Sequence, residues 1–275
     1  MQESWDYYNH SLIPSTEPHI DCTPPKNKHA FWKNRGGYPL LARWTTDFDC
    51  GYETNWWYVI KDTPFDISEL KAKRRYEINK GKKNFEIRRI VATEYSDDIL
   101  EVTKKAYLSW PEKYRPSIND ETFKSSLCKW DSAFVYGAFD IETGFFSGYA
   151  YLIEHEKHMD FVALRVIPEF EKRGINVAIC AGILEDNAEK FDGNWYINDG
   201  ARSIRHETAF QDYLEKYFGF RKAYCHIDVI YRKPFGLIIK ALFPLRGLIN
   251  TSTKYGSLAA SVLKLEEIRR NNRSS

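Results

Sequence analysis

The sequence predicts an α+β fold: a mixed, mostly antiparallel central sheet flanked by helices, with an N-terminal β-rich extension. Three observations carry this. From residue 84 onward, apolar periodicity runs strand, helix, helix, strand, strand, strand, helix, strand, helix, strand. Strands that follow one another without an intervening helix call for antiparallel neighbours, so the pattern is not doubly wound. The 275 residues are 43% hydrophobic and 16% aromatic, enough to bury a core and too apolar for a disordered chain.

Taken in order, residues 1–28 hold Pro14, Pro18, Pro24 and Pro25 among polar residues and read as an extended arm. Residues 29–67 form a small β-rich extension, with Tyr38–Thr45 and Asn55–Lys61 as strands between Gly and Asp punctuation. Residues 68–234 form the main domain and open with a helix over Ser68–Lys83. Ser68 is its N-cap, and Gly81 marks its end. Asn84–Ala92 is a strand. Ser96-Asp97-Asp98 caps a helix to about Trp110, and Asn119 caps another with Phe123, Leu127 and Trp130 on one face. Ala133–Asp140 and Gly144–Glu154 make a hairpin around Ile141-Glu142-Thr143.

His158–Ile167 is the next strand. It enters a Gly-containing turn and a helix from Gly174 to Phe191. Asn194–Asn198 is a strand, Thr208–Phe218 a helix, and Lys222–Arg232 the last strand. Residues 235–275 carry an apolar stretch, Phe235–Ile249, then a short amphipathic helix with Leu258, Val262, Leu265 and Ile268 on one face.

The net charge of +2 gives no general case for nucleic acid. The charge is uneven, however: helix 71–83 and the strand after it hold nine Lys and Arg between Lys71 and Arg89, against Glu77 and Glu86. Such a cluster attracts phosphate, RNA or anionic lipid. Five scattered cysteines with no paired spacing fit a reducing compartment and no zinc. His155 and His158 lack a third ligand of the usual spacing, so no metal is expected. No basic-then-apolar leader and no apolar run of about 18 residues occurs, so a cytoplasmic chain is expected. Residues 235–249 either pack on the domain or touch a membrane surface, on its inner face.

The chemistry concentrates in Phe161–Lys190. A strand feeding a glycine turn and a helix leaves backbone N–H groups unpaired, which favours an anion there. Val166, Pro168, Arg173, Gly174, Ile175 and Ala178 resemble the V-x-P strand end and R-x-x-G-x-G/A loop of the GCN5-related N-acetyltransferase superfamily, and the element order over 84–232 resembles it too. The resemblance implies an acyl-CoA N-acyltransferase-like fold and acetyl-CoA or another acyl-CoA as donor. Leu164 and Val166 would meet the pantetheine; Arg173, Gly174, Ile175, Asn176 and Val177 would hold the pyrophosphate. Two positions depart from the motif, Glu171 and Asn176, and a carboxylate beside a pyrophosphate is repulsive.

Ser68–Ile90 resembles a segment of FemAB-like transferases, which implies aminoacyl-tRNA as an alternative donor and a cell-envelope or polysaccharide precursor, such as an amino sugar, as acceptor. A degenerate, non-catalytic acyltransferase fold at a membrane surface is the third reading. Gly219-Phe220 after a Tyr-bearing helix resembles the acetyltransferase ending, which makes Tyr213 or Tyr217 a proton donor to the leaving group, or both core aromatics. Asp199, Arg202, His206 and Thr208 cluster between a strand and a helix, either as a substrate site or as a capping network. His206 and Glu154 are the candidate bases; Asp199, Arg202 and Thr208 are the candidate substrate contacts.

Overall fold

A computed structural model describes residues 5–33, 37–112, 115–131, 133–204 and 209–272. The chain divides into two compact units: one from the described residues of Met1–Tyr58, Ala201–Thr208 and Lys222–Ser275, the other from Val59–Gly200 and Ala209–Arg221. The predicted arm, part of the β-rich stretch and the C-terminal segment thus belong to one unit, together with the final strand.

In the first unit, the arm is not simply extended. β1 (Trp5–Tyr8) and β2 (Ser11–Pro14) form an antiparallel hairpin. Its two turn residues, Asn9 and His10, both take positive φ (46° and 61°), the geometry of a tight hairpin turn. The single-turn helix α1 (Lys28–Phe31) is capped by Asn27, whose side chain accepts from the Ala30 N–H at 3.3 Å. β2 pairs in parallel with β3 (Leu41–Thr46), which pairs antiparallel with β10 (Arg221–Tyr231). Alternation along β3 separates two cores: Ala42 packs with Trp5, Leu12, Cys22 and Phe31, while Leu41 packs with Trp56, Ile227, Val229, Leu265 and Ile268.

The C-terminal segment becomes α7 (Phe235–Leu242), a 3-10 stretch (Phe243–Leu248) and α8 (Lys254–Asn271), the last longer than the sequence pattern predicts. Of α7 only Ile239 is buried, whereas Leu237, Ile238 and Leu242, with Leu245 and Leu248 just beyond, are exposed. Among the described residues no helix is long and apolar enough to cross a membrane.

The chain leaves the first unit within β4 (Trp56–Lys61), between Tyr58 and Val59. In the second unit, α2 (Ala72–Asn84) starts later than predicted, because Asp66 caps a 3-10 turn at Ser68 instead. β5 (Phe85–Ile90), β6 (Phe134–Asp140), β7 (Phe146–Glu154) and β8 (His158–Val166) pair antiparallel in sequence order, and β9 (Tyr196–Ala201) joins β8 in parallel. At the β6–β7 turn the Asp140 carboxylate accepts from the Glu142 and Thr143 N–H groups (3.0 and 3.2 Å).

α3 (Ser96–Leu108) and α4 (Asp120–Ser126) cover one face, where Thr103 bonds Tyr149 at 2.8 Å; α5 (Ile175–Asp186) covers the other, against Gly148. α5 is apolar all round, which fits burial between the sheet and α2. α6 (Ala209–Phe218) follows β9. The architecture is α+β with mixed, mostly antiparallel strands, as predicted; a separate N-terminal extension is not what these units describe.

Candidate active site

The site begins where two strands part. β8 and β9 pair at His158/Tyr196, Met159/Ile197 and Asp160/Asn198. From there β8 runs on to Val166 held by β7, while β9 turns off through Asp199. The edge of β8 that faces away from β7 therefore presents N–H and C=O groups to an open space. That space is a cleft of about 680 Å³, lined by β8, the first turn of α5, the end of β9 and α6.

Of the predicted residues, Leu164, Val166, Asn176, Asp199 and Tyr213 line the cleft. Burial pushes the Asp199 carboxyl up to about 7, outweighing a hydrogen bond from Gln211. Burial also raises the Tyr213 phenol, which stays protonated at any physiological pH. Its Oη is buried with no hydrogen-bond partner, and so is Asn176 Oδ1. Buried polar atoms of this kind are unusual, and both sit on the cleft wall. The wall also carries Glu171 and Arg165. Arg165 is steered by the Leu164 carbonyl at 2.8 Å and lies over the rings of Tyr107 and Trp110.

Other predicted residues are engaged elsewhere. Tyr217 lies under the Arg74 guanidinium, 3.2 Å from the ring centroid, and does not line the cleft; of the two tyrosines only Tyr213 does. Glu154 pairs with Lys190. Arg173 pairs with the buried Asp140 and lies over Phe85 and Phe170. Ile175 is fully buried in the core, and Val177 is half-buried outside the cleft.

Gly174 has the positive φ that a glycine turn needs (89°), but a Cβ there would lie 3.2 Å from the Gly81 Cα of α2. Gly81 is no helix end: it is buried within α2, where a Cβ would lie 2.6 Å from the Gly174 carbonyl. The two glycines thus let α2 and the loop touch, and Lys80 and Asn84 bond the Lys172 and Arg173 carbonyls (2.8 and 2.9 Å). Arg202 belongs to the first unit, where it lies over Trp57. His206 and Thr208 lie outside the described residues.

His155 and His158 do have a third neighbour, contrary to the spacing argument. Their rings stack at 4.3 Å, and each Nε2 lies near an Asp160 oxygen (3.1 and 3.3 Å). Asn198 also donates to Asp160, at 2.8 Å. Burial raises the Asp160 pKa, but the contacts with His158 and Asn198 outweigh it and hold the carboxylate low. The set reads as a hydrogen-bonded clasp where β8 and β9 last meet. Glu171, Arg165, Trp110 and Phe210 are among the cleft residues that sequence reasoning did not assign as site residues; Glu171 was visible there only as a departure from a motif.

No family model and no curated protein matches this chain. Among solved structures it is similar to L-PGS from Bacillus licheniformis, with a TM-score of 0.53 and 15% identity over 88% of this chain and 84% of that one. It also aligns with the C-terminal domain (DUF2156) of a candidate lysylphosphatidylglycerol synthetase from Agrobacterium fabrum, with a TM-score of 0.49 and 12% identity over 86% of this chain and 82% of that one. A PaiA N-acetyltransferase from Thermoplasma acidophilum, solved in complex with coenzyme A, aligns over 38% of this chain and 73% of its own, with 20% identity and a TM-score of 0.30. The likeness to L-PGS extends over most of both chains, and it establishes that this chain shares that protein's fold.

Proposed function

We propose that the chain is an acyltransferase that moves an aminoacyl group from an ester donor of the aminoacyl-tRNA kind to an amine or hydroxyl acceptor. The observation that carries this is the character of the β8–β9 cleft. Its wall presents Glu171, Asp199 and the unpaired Asn176 oxygen. Acceptors and carboxylates repel a pyrophosphate but suit an ammonium group, which an aminoacyl moiety carries. The fold shared with L-PGS supports the same reading. So does α2, where Lys73, Tyr76 and Lys83 are exposed, as is Lys71 at its N-cap, a combination that suits RNA phosphates and a stacked base.

The mechanism is direct attack. The acceptor's N–H or O–H loses its proton to the Asp199 carboxylate as the heteroatom adds to the donor carbonyl. A β8 backbone N–H in Leu164–Val166 on the open edge stabilises the oxyanion. Collapse expels the donor alkoxide, and the Tyr213 hydroxyl protonates it.

A second reading, acyl-CoA as donor, draws on the same open strand edge, which fits a pantetheine arm as well. Glu171 and the closed Gly174–Gly81 contact weigh against it. The test offers the purified chain a labelled aminoacyl-tRNA pool or labelled acetyl-CoA, with hydroxylamine as surrogate acceptor, and compares wild type with Asp199→Asn. Hydroxamate from the tRNA pool that falls roughly 10²–10⁴-fold in the variant is the expected result. Product from acetyl-CoA alone transfers the reading to the second donor, and no enzyme-dependent product from either sinks both.

A further inference from the structure

The first unit holds its own cavity, of about 700 Å³. It lies against the face of β3 that carries Leu41 and Arg43, and one wall is α8 through Leu258, Val262 and Leu265. That face is otherwise a hydrophobic core. Arginine is out of place there unless something meets its charge. Among the described residues no carboxylate pairs with Arg43. Its neighbours are the Trp56 ring, at 5.8 Å, and the phenols of Tyr8 and Tyr58. Desolvation dominates its surroundings and lowers its pKa.

A second guanidinium lines the same cavity. Arg202 gives one N–H to the Asn55 carbonyl at 2.9 Å, but its Nε is buried and has no partner. Among the described residues no Asp or Glu lines the cavity. This is not the unit's general habit: nearby, Arg269 and Arg270 both bond the buried Glu266, at 2.6 and 2.7 Å. The surrounding sequence has the same sign, since Val229–Leu265 holds Arg232, Lys233, Lys240, Arg246, Lys254 and Lys264 and no acid.

We propose that this cavity binds the phosphate of an anionic amphiphile, with Arg43 and Arg202 on the phosphate oxygens and the α8 leucines and valine against the apolar part. Two guanidiniums provide the forked donors that phosphate oxygens prefer. The apolar wall beside them excludes a ligand that is only charged. The inference stands on the first unit alone and does not depend on the acyl-transfer reading.

The test titrates the full chain by calorimetry with dodecyl phosphate below its micellar concentration, inorganic phosphate and dodecyl maltoside. Dodecyl phosphate is expected to bind at least tenfold more tightly than inorganic phosphate, with no heat at this site from the maltoside. Arg43→Met should weaken it at least tenfold and leave or raise the melting temperature of the free protein, because a half-buried charge with no carboxylate beside it among the described residues is removed. Arg202→Met, measured separately, should also weaken it and guards against failure of the first variant to fold.

Leu237→Gln with Leu248→Gln, on the exposed strip outside the cavity, should leave binding intact. Equal affinity for inorganic phosphate overturns the amphiphile and leaves a free-phosphate site. Binding that survives Arg43→Met and Arg202→Met, or is lost with the strip variant, overturns the cavity.

Discussion

Asp199 lines the cleft with a carboxyl that burial holds near neutrality, and this has two measurable consequences. As a base it must be ionised, so the wild-type rate should rise through pH 7 and level off above it, while Asp199→Asn loses that inflection. For stability the sign is opposite. The folded-state pKa of about 7 lies above the ordinary 3.8, so folding favours the protonated acid. That contribution is complete below about pH 4 and is lost as pH rises to about 7. Asp199→Asn should therefore melt like wild type at pH 4 and be more stable at pH 8, by roughly 2–4 kcal/mol; chemical denaturation at the two pH values checks it. Tyr213→Phe should lower kcat roughly a hundredfold with little change in KM, since the phenol acts on the leaving group. The two positions, though not the role of Asp199, stood out in the sequence, which offered Asp199 as a substrate contact and Glu154 and His206 as the bases. Tyr213 stood out as a tyrosine near a Gly-Phe ending, and Asp199 as polar chemistry after a strand. What the sequence could not separate was Tyr213 from Tyr217, because both lie on one helix and only packing decides which meets the cleft and which meets Arg74.

At the scale of elements, the contact between α2 and the loop before α5 rests on two glycines. A methyl at Gly81 would come 2.6 Å from the Gly174 carbonyl, a backbone atom that cannot swing aside. Alanine is the better helix former by ~1 kcal/mol, but overpacking at such a site costs about 1–3 kcal/mol. Gly81→Ala is therefore expected to lower the melting temperature, whereas Gly247→Ala, which meets nothing within 4 Å, should not; thermal unfolding of both decides it. Read locally, Gly81 marks a helix end and Gly174 a ligand loop, since each glycine advertises permissiveness without saying what approaches. The first hairpin escaped for a related reason: Asn9-His10 reaches the left-handed turn without the glycine that usually announces it. The antiparallel run β5 to β8 was legible because the mostly apolar runs over Phe134–Asp140, Phe146–Glu154 and His158–Val166 are long and cleanly punctuated.

For the whole molecule, the formal charge of +2 means that any affinity for RNA must be local. Lys73→Glu with Lys83→Glu on α2 should weaken binding of an RNA oligonucleotide and flatten its dependence on log salt, by about one unit for each phosphate no longer neutralised. A filter-binding series from low to high salt measures both. The element order from residue 84 to the last strand was readable, but the grouping into two units was not, because the first unit gathers segments from both ends of the chain. The parting of β8 from β9 has a further consequence, in the clock of amide exchange. A central strand ordinarily keeps all its amide protons for hours. Here the amides of Val162–Val166 that point to β7 should keep theirs, while those on the open edge trade with deuterium on the schedule of a loop. Fast and slow amides would then alternate along one strand, and an occupant of the cleft would slow only the fast set.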